Sequence, residues 1–207
     1  MPPLDQVFLT INEFAVNTPW LHTPMAAYAK YGILLFAVFI VIGWWIARPQ
    51  NDAAMATALL VPVAALVAVA AQQVVVALVS EARPYEVYPY ILVLVSKTTD
   101  PSFPSDHACV AGAVAAGLLF VDRRLGVVAS VAAVLMGVSR VYAGAHWVLD
   151  VVAGLALGAA IAILVILILR SPIAKVVARL RGTRFRPLLA PPRTADATAE
   201  AADTVIT

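Results

Sequence analysis

Two residues in the C-terminal half of the chain have the spacing of a catalytic pair. His146 and Asp150 are four residues apart, so on a continuous helix they share one face and lie one turn from each other. A carboxylate in that position can hold the Nδ1 proton of the imidazole and leave Nε2 free as a nucleophile or a base. The spacing therefore predicts nucleophilic or acid–base chemistry centred on His146.

Other polar residues at the borders of apolar segments suit a phosphate. Ser105 can cap a helix that starts at Asp106, where unpaired N–H groups and the positive end of the helix dipole attract anions. Arg83 and Arg140 add planar, permanently charged groups that match phosphate oxygens. His107, in the first turn of the same helix, would face the anion as a proton donor. These residues predict phosphoryl transfer with a covalent histidine intermediate.

The composition indicates that lipid surrounds the elements that carry these residues. Hydrophobic residues make up 62% of the 207 residues and charged residues only 13%, whereas soluble domains carry about a quarter charged residues. We therefore predict an all-α, polytopic membrane helix bundle, because backbone groups in lipid must be satisfied within each crossing segment. The formal net charge of +2 is too small to indicate a nucleic-acid partner.

Five apolar stretches approach the about 20 residues of helix that cross a bilayer core. They are Met25 to Ala47, Ala53 to Val79, Ser105 to Val121, Leu125 to Val141 and Trp147 to Leu169. Residues 1–24 are predicted to form an N-terminal interfacial helix, or else an ordered arm, with a turn at Pro19 or Pro24. Lys30 is expected to point outward to the membrane interface.

The predicted domains are thus an interfacial segment over residues 1–24, a transmembrane domain over 25–170 and a basic tail over 171–207. The end of the tail is rich in Ala, Thr, Asp and Glu, so we expect it to be disordered.

The basic residues predict the orientation in the membrane. They lie between the first two apolar stretches, between the third and fourth, and after the fifth: Arg48, Arg123, Arg124, Arg170, Lys175, Arg179, Arg181, Arg184 and Arg186. The positive-inside rule places these segments, and the C-terminal tail, in the cytoplasm. The candidate site residues then fall at the extracytoplasmic ends of the apolar stretches, where charged groups are costly and mark functional sites by default.

Three short motifs resemble a known family. Arg83-Pro84, "PSDH" at Pro104 to His107 and "SRVYAGAHWVLD" at Ser139 to Asp150 resemble the R-P, P-S-x-H and S-R-x-x-x-x-x-H-x-x-x-D motifs of the type 2 phosphatidic acid phosphatase superfamily. "SFPSDHA", with Asp106 where most members have Gly, and "AKYG" at Ala29 to Gly32 are similar to the bacitracin-resistance type of undecaprenyl-diphosphate phosphatase.

The resemblance implies a role for each matching residue. His146 would attack the terminal phosphorus, Asp150 would orient it and balance its charge, and His107 would protonate the leaving oxygen and then activate water. Arg83, Arg140 and the amides around Ser105 and Asp106 would hold the transferring phosphoryl group. The resemblance implies no metal or other cofactor, and no cluster of metal ligands is evident in the sequence.

The chain departs from the family pattern in its first motif. The lysine that the family places seven residues before the arginine is Val76 here, and Lys97 is a hypothetical substitute. Glu81 stands where the bacitracin-resistance type often has a further arginine. Two more residues are candidates: Ser139, which opens the third motif, and Tyr85, which could line the access for a lipid headgroup or serve as an interfacial anchor.

The resemblance therefore implies a membrane enzyme that hydrolyses undecaprenyl diphosphate to the monophosphate, and the basic residues predict that its site lies on the extracytoplasmic face. A phosphatase for phosphatidate, phosphatidylglycerophosphate or a prenyl-linked sugar phosphate stays open, as does a non-catalytic protein that binds or transports lipid phosphates. The two histidines and Asp150 favour an enzyme, because a mere binder needs no nucleophile with an orienting acid. The expected partners are the lipid substrate and the bilayer, and the oligomeric state is not indicated.

Overall fold

The chain folds into helices joined by loops, and a computed structural model describes residues Pro3 to Pro191. Nine helices and no strand occur in this part of the chain. They are α1 (Pro3–Val16), α2 (Pro19–Tyr31), α3 (Ile33–Ala47), α4 (Asp52–Val79), α5 (Pro84–Val87), α6 (Asp106–Leu119), α7 (Arg123–Tyr142), α8 (Val148–Leu180) and α9 (Arg186–Leu189). The predicted all-α class is confirmed, while the end of the predicted disordered tail lies outside the described residues.

Helix α6 lies at the centre of the bundle, packed against α3, α4, α7 and α8. The helix consists mostly of small residues, and Ala108, Gly112 and Ala113 are among its buried residues. Its 14 residues give a helix about 21 Å long, shorter than the bilayer core of about 30 Å. Because other helices surround α6, protein rather than lipid covers most of its surface.

Helices α6 and α8 approach closely because two glycines face the opposite backbone. A Cβ atom at Gly158 would collide with the carbonyl oxygen of Cys109, and one at Gly112 would collide with the carbonyl oxygen of Leu155. Small residues at such crossings let helix backbones pack together in membrane proteins. This crossing fixes the start of α8 beside the start of α6.

The first predicted membrane segment is bent. Helices α2 and α3 meet at Gly32 at an angle of 57°, so the helix predicted over Met25 to Ala47 is interrupted and starts earlier, at Pro19. Arg140 donates a 3.1 Å hydrogen bond to the carbonyl oxygen of Ala29 in the last turn of α2. A carbonyl group at a helix end needs such a partner. The apolar sequence of this segment predicts neither the bend nor the hydrogen bond from Arg140.

Three helices in the described part, α4, α7 and α8, are long and apolar enough to cross a bilayer. Counting the bent pair α2 and α3 as one span gives a fourth. These helices make the chain a multi-pass membrane protein, although the five predicted crossings are not all confirmed, since α6 is too short to meet the same length criterion.

Helix α1 packs on the end of the bundle where α7 finishes and α8 begins, which we call the site end. Phe8, Asn12 and Ala15 are buried, and the ring of Phe8 lies 5.1 Å from that of Trp147. The predicted N-terminal helix is confirmed as a helix. The turn after it comes before Pro19, at Asn17 and Thr18, and Pro24 lies inside α2.

The opposite end of the bundle holds the α3–α4 connection and the C-terminal segment together. Arg48 donates hydrogen bonds to the carbonyl oxygens of Pro187 (2.6 Å) and Ala190 (3.1 Å). Arg181 forms a 3.1 Å ion pair with Asp52 at the start of α4. Helix α8 continues as far as Leu180, beyond the end of the predicted span at Leu169.

We expect Gly158→Val to destabilise the protein by about 1–3 kcal/mol, the usual cost of overpacking a tight core. Ala160→Val is the matched control, because Ala160 is exposed on the same helix. Thermal unfolding in detergent, followed by tryptophan fluorescence, measures both changes. Equal midpoints for the two variants would contradict the close α6–α8 crossing.

Candidate active site

Four helix ends bring the predicted site residues together at the site end. Helix α4 leads into Arg83, α6 starts after Ser105, α7 ends just beyond Arg140, and α8 carries Asp150 in its first turn. His146 lies in the short turn between α7 and α8. Residues that are far apart in the sequence thereby line one region.

A glycine turn at the end of α7 positions His146. Gly144 has a positive φ of 72°, and its N–H donates to the carbonyl oxygen of Val141 while that of Ala145 donates to Arg140. This pair of hydrogen bonds is the Schellman arrangement that commonly ends helices at glycine. It reverses the chain so that His146 follows directly after the last turn of α7.

Asp150 holds one edge of the imidazole. Its Oδ2 lies 3.3 Å from Nδ1 of His146 and accepts a 2.8 Å hydrogen bond from the N–H of Trp147. His146 precedes α8, which starts only at Val148, so the two residues meet at the helix start and not along one continuous helix. Asp150 is the third residue of α8 and reaches back to the turn, a capping geometry that stabilises helix starts.

Ser102 completes this arrangement and was missed by the sequence analysis. Its hydroxyl donates a short hydrogen bond to Oδ2 of Asp150, and its carbonyl oxygen lies 2.9 Å from Nδ1 of His146. All three residues are at most 1% exposed. A serine in a proline-rich loop carries no spacing signal, so only the fold reveals that it contacts both members of the pair.

The other edge of the imidazole faces two guanidinium groups. Nε2 of His146 lies 3.1 Å from Nη2 of Arg140 and 3.4 Å from Nη1 of Arg83. Arginine can only donate hydrogen bonds, so Nε2 must be the acceptor, and the proton of the neutral ring is on Nδ1. This is the tautomer in which Nε2 has a free electron pair.

The surroundings of His146 also keep its ring neutral. Burial is the main cause that lowers its pKa below the ordinary value of 6.5, and the charges of Arg140 and Arg83 act in the same direction. The hydrogen bond that Nδ1 of His146 donates to Asp150 opposes them. An unprotonated imidazole at neutral pH is the form that can attack phosphorus.

Backbone carbonyls fix the two arginines. Arg83 donates from Nε to Asp100 (2.8 Å) and from Nη1 to Ala145 (3.0 Å), while Arg140 is bound to Ala29. Within the described residues, Nη2 of Arg83 has no hydrogen-bond partner. Rigid guanidinium groups with spare donors suit the oxygens of a phosphoryl group.

The start of α6 differs in detail from the expected anion site. Ser105 is fully buried, its hydroxyl caps Ala108 at 3.5 Å, and its N–H donates to the carbonyl oxygen of Asp150 at 3.0 Å. Its amide is therefore occupied by protein, and phosphate binding by Ser105 stays a prediction.

Asp106 and His107 form a pair beside the arginines. Oδ1 of Asp106 accepts from the N–H of His107 at 2.8 Å and lies 2.9 Å from its Nδ1. This contact leaves Nε2 of His107 available for proton transfer. The carboxylate of Asp106 therefore contacts His107. The sequence analysis placed Asp106 among the phosphate-binding groups and did not predict this contact.

The remaining candidates, Tyr85, Ser139 and Lys97, make no hydrogen bond to the imidazole of His146. Tyr85 lines the cavity and both donates to and accepts from the backbone of Thr98. Ser139 is buried and donates to the carbonyl oxygen of Met136. Lys97 is exposed, with Nζ 5.4 Å from the centre of the Tyr85 ring.

Glu81 contributes through its backbone. Its carbonyl oxygen accepts a 2.7 Å hydrogen bond from the N–H of Ser102. Burial, followed by the negative charges of Asp150 and Asp5, raises the pKa of its carboxyl group. Glu81 therefore supports the loop that holds Ser102.

Two adjoining cavities surround these groups. The inner chamber, of 340 Å³, contains His146 together with Gln73, Val76 and Pro104. The outer chamber, of 250 Å³, contains His107, Arg140, Tyr85 and Lys30. Arg83, Asp100 and Asp106 line both chambers. Between Pro3 and Pro191, no group of three His, Cys, Asp or Glu residues could hold a metal ion.

The chain is similar in sequence to two proteins from Bacillus. The chain is 26% identical over 150 residues to undecaprenyl-diphosphatase BcrC of Bacillus subtilis, covering 72% of this chain and 76% of that protein. It is 27% identical over 151 residues to the bacitracin transport permease protein BcrC of Bacillus licheniformis, covering 73% of each.

A solved structure has the same fold. The crystal structure of a transmembrane PAP2 type phosphatidylglycerolphosphate phosphatase from Bacillus subtilis is similar with a TM-score of 0.56 and 27% sequence identity, covering 80% of this chain and 85% of that one.

The model of the PAP2 superfamily matches residues 56–173, a region that includes Arg83, His107, Arg140, His146 and Asp150. This match covers more than half of the chain and includes the residues that contact His146. The chain therefore belongs to the PAP2 superfamily and is a membrane lipid phosphatase.

Proposed function

We propose that the protein hydrolyses a polyprenyl diphosphate, in particular undecaprenyl diphosphate, to the monophosphate and orthophosphate through a phosphohistidine at His146. One observation carries this proposal. Nε2 of a buried, neutral imidazole faces two arginines, while Nδ1 is held by Ser102 and Asp150. Such an arrangement supplies an oriented nucleophile and the positive charge that a transferring phosphoryl group requires.

The first step transfers the terminal phosphoryl group. Nε2 of His146 forms a bond to the terminal phosphorus, and the bond from this phosphorus to the bridging oxygen breaks. His107 gives its proton to the leaving lipid monophosphate, while Asp150 balances the charge that develops on His146. Arg83 and Arg140 stabilise the oxygens of the group in transit.

The second step restores the enzyme. A water molecule attacks the phosphorus on His146 and gives a proton to His107, which is unprotonated after the first step. The P–N bond breaks, and orthophosphate leaves. His146 returns to its neutral form with the proton on Nδ1, so the cycle consumes one water and needs no further reactant.

The names of the relatives support a diphosphate substrate, and one structural neighbour favours an alternative. BcrC of Bacillus subtilis is an undecaprenyl-diphosphatase, whereas the solved neighbour is a phosphatidylglycerolphosphate phosphatase. A phosphatase for such a glycerolipid monoester is therefore the second candidate. Comparing rates with undecaprenyl diphosphate and phosphatidylglycerophosphate separates the two, and a clear preference for the second would overturn our proposal.

We place the site on the extracytoplasmic face. The basic connections around Arg48 and after α8 lie at the end of the bundle opposite His146, and the positive-inside rule assigns that end to the cytoplasm. This orientation treats α2–α3, α4, α6, α7 and α8 as five crossings. A membrane-impermeant thiol reagent should label Thr98→Cys from outside in intact cells but not Thr183→Cys, and the reverse pattern would contradict it.

We expect His146→Ala to lower phosphate release from undecaprenyl diphosphate at least about a thousandfold, as the loss of a nucleophile does in other covalent enzymes. His22→Ala is the matched control, because within residues 3–191 the hydrogen bond of His22 goes to the carbonyl oxygen of Ala15 and to no other group. Phosphate release by the purified proteins measures the effect. Undiminished release from the His146 variant would contradict the proposed role.

The pH dependence of kcat/KM should be bell-shaped. Protonation of His146 removes the nucleophile, and because burial lowers its pKa, the acidic limb should lie below the ordinary histidine value of about 6.5. The first step also needs a proton donor for the leaving oxygen, so loss of that proton at higher pH gives the alkaline limb, and the two limbs report macroscopic values. An acidic limb above pH 7 in a rate profile would contradict this assignment.

Ser102→Ala should lower kcat about 10- to 100-fold with little change in KM, since it removes a hydrogen bond to the charged carboxylate of Asp150. Ser130→Ala serves as control, because the Ser130 hydroxyl donates its hydrogen bond to the carbonyl oxygen of Gly126 within α7. Steady-state kinetics distinguish the two. A Ser102 variant with wild-type kcat would show that Asp150 does not depend on this hydroxyl.

A further inference from the structure

A third cation lies beside the two arginines of the site. Lys30, near the end of α2, lines the outer chamber together with His107 and Arg140. It also borders a groove of 410 Å³ between α2 and residues 94–96. The prediction that Lys30 points to the membrane interface describes only part of its surroundings, because Lys30 borders both the groove and the outer chamber. Its Nζ lies 4.9 Å from the centre of the Tyr31 ring, on the groove side.

The backbone around Lys30 is fixed to the catalytic groups. Arg140, which contacts His146, also binds the carbonyl oxygen of Ala29 at 3.1 Å. The hydroxyl of Tyr28 donates a 2.8 Å hydrogen bond to the carbonyl oxygen of Ala132 in α7. The residues just before Lys30 therefore hold a set position relative to the arginines, while its long side chain is exposed and can move.

The charges of the cavity show why a third cation has a role. The two guanidinium groups contact Nε2 of His146, so their positive charge is directed to the phosphoryl group that His146 would attack. Asp100 and Asp106 line both chambers and would repel a second phosphate. Among the described residues that line the two chambers, Lys30 is the only lysine.

Resting on the proposed function, we infer that Lys30 binds the lipid-linked phosphate of the substrate and thereby selects a lipid diphosphate over a lipid monophosphate. The terminal phosphate lies in the inner chamber at His146, and the second phosphate lies in the outer chamber between His107 and Lys30. A monophosphate at His146 leaves the outer chamber without an anion, so it gains little from Lys30.

The position of an apolar cleft is consistent with this placement. A cleft of 220 Å³ has Ile33, Val69 and Val110 on its apolar side and reaches His107, Asp106 and Gln73, of which Gln73 also lines the inner chamber. Ile33 starts α3, shortly after Lys30 in the chain. A prenyl chain attached to the second phosphate can leave through this cleft beside His107 towards the lipid, which is compatible with the free end of the diphosphate lying at His146.

Lys97 is the rival for this role. It is exposed and lies over the ring of Tyr85, and it is absent from the residues that line either chamber. The two lysines can be separated experimentally, because each can be replaced without touching the other or the arginines.

The kinetic test compares two lipids. Lys30→Met should lower kcat/KM for undecaprenyl diphosphate about 10- to 100-fold, the size of one lost charge-assisted hydrogen bond. For phosphatidate the loss should stay within about threefold, as for a screened surface charge. Lys30→Arg should retain most of the activity, and Lys175→Met, an exposed lysine at the opposite end of α8, is the control. An equal loss with both lipids, no loss with either, or a selective loss in Lys97→Met would overturn the inference.

A binding measurement tests the role of Lys30 independently of the proposed reaction. Titration calorimetry of the detergent-solubilised protein should show weaker binding of inorganic diphosphate to Lys30→Met than to the wild type, and equal binding of orthophosphate. Unchanged diphosphate affinity would overturn the role of Lys30. Failure of the wild type to release phosphate from undecaprenyl diphosphate would instead overturn the proposed function.

Discussion

The chemistry proposed for this protein depends on one buried imidazole that is held from both edges. On one edge, the Nδ1–H group donates hydrogen bonds to the carbonyl oxygen of Ser102 and to the carboxylate of Asp150. On the other edge, the guanidinium groups of Arg83 and Arg140 face the electron pair of Nε2. Arginine cannot accept a hydrogen bond, so this environment leaves a single tautomer of the neutral ring. Burial further disfavours the charged form. In the proposed reaction, the same arginines that fix the tautomer would supply the positive charge for the incoming phosphate.

The fold keeps this imidazole in place by joining helix ends that are distant in sequence. Gly112 and Gly158 let α6 and α8 approach closely, and the N–H of Ser105 then bonds the backbone of Asp150. The turn at Gly144 places His146 between α7 and α8. Arg140 connects His146 to the end of α2, so the bend at Gly32 and the position of Lys30 belong to the same framework.

The sequence was sufficient for the helices and for most of the candidate residues, but not for the contacts that depend on chain reversal. Apolar runs predicted helices at α3, α4, α6, α7 and α8, and the spacing of His146 and Asp150 predicted their contact. The spacing could not show that His146 lies in a turn before α8, because it carries no information about the Schellman turn. The bend between α2 and α3 and the role of Ser102 were missed, since each depends on a hydrogen bond to a residue remote in the chain. The place of Lys30 in the cavity was missed as well, because it depends on the hydrogen bond between Arg140 and Ala29.

Membership of the PAP2 superfamily, shown by the match over residues 56–173, makes the nucleophile the central claim. Its most direct test is to trap the enzyme during turnover with undecaprenyl diphosphate that carries a labelled terminal phosphate. Denaturation in base, where phosphohistidine survives, followed by peptide mass spectrometry should locate the label on His146. Release of labelled orthophosphate at the normal rate, with no label on His146 at any time, would contradict the account.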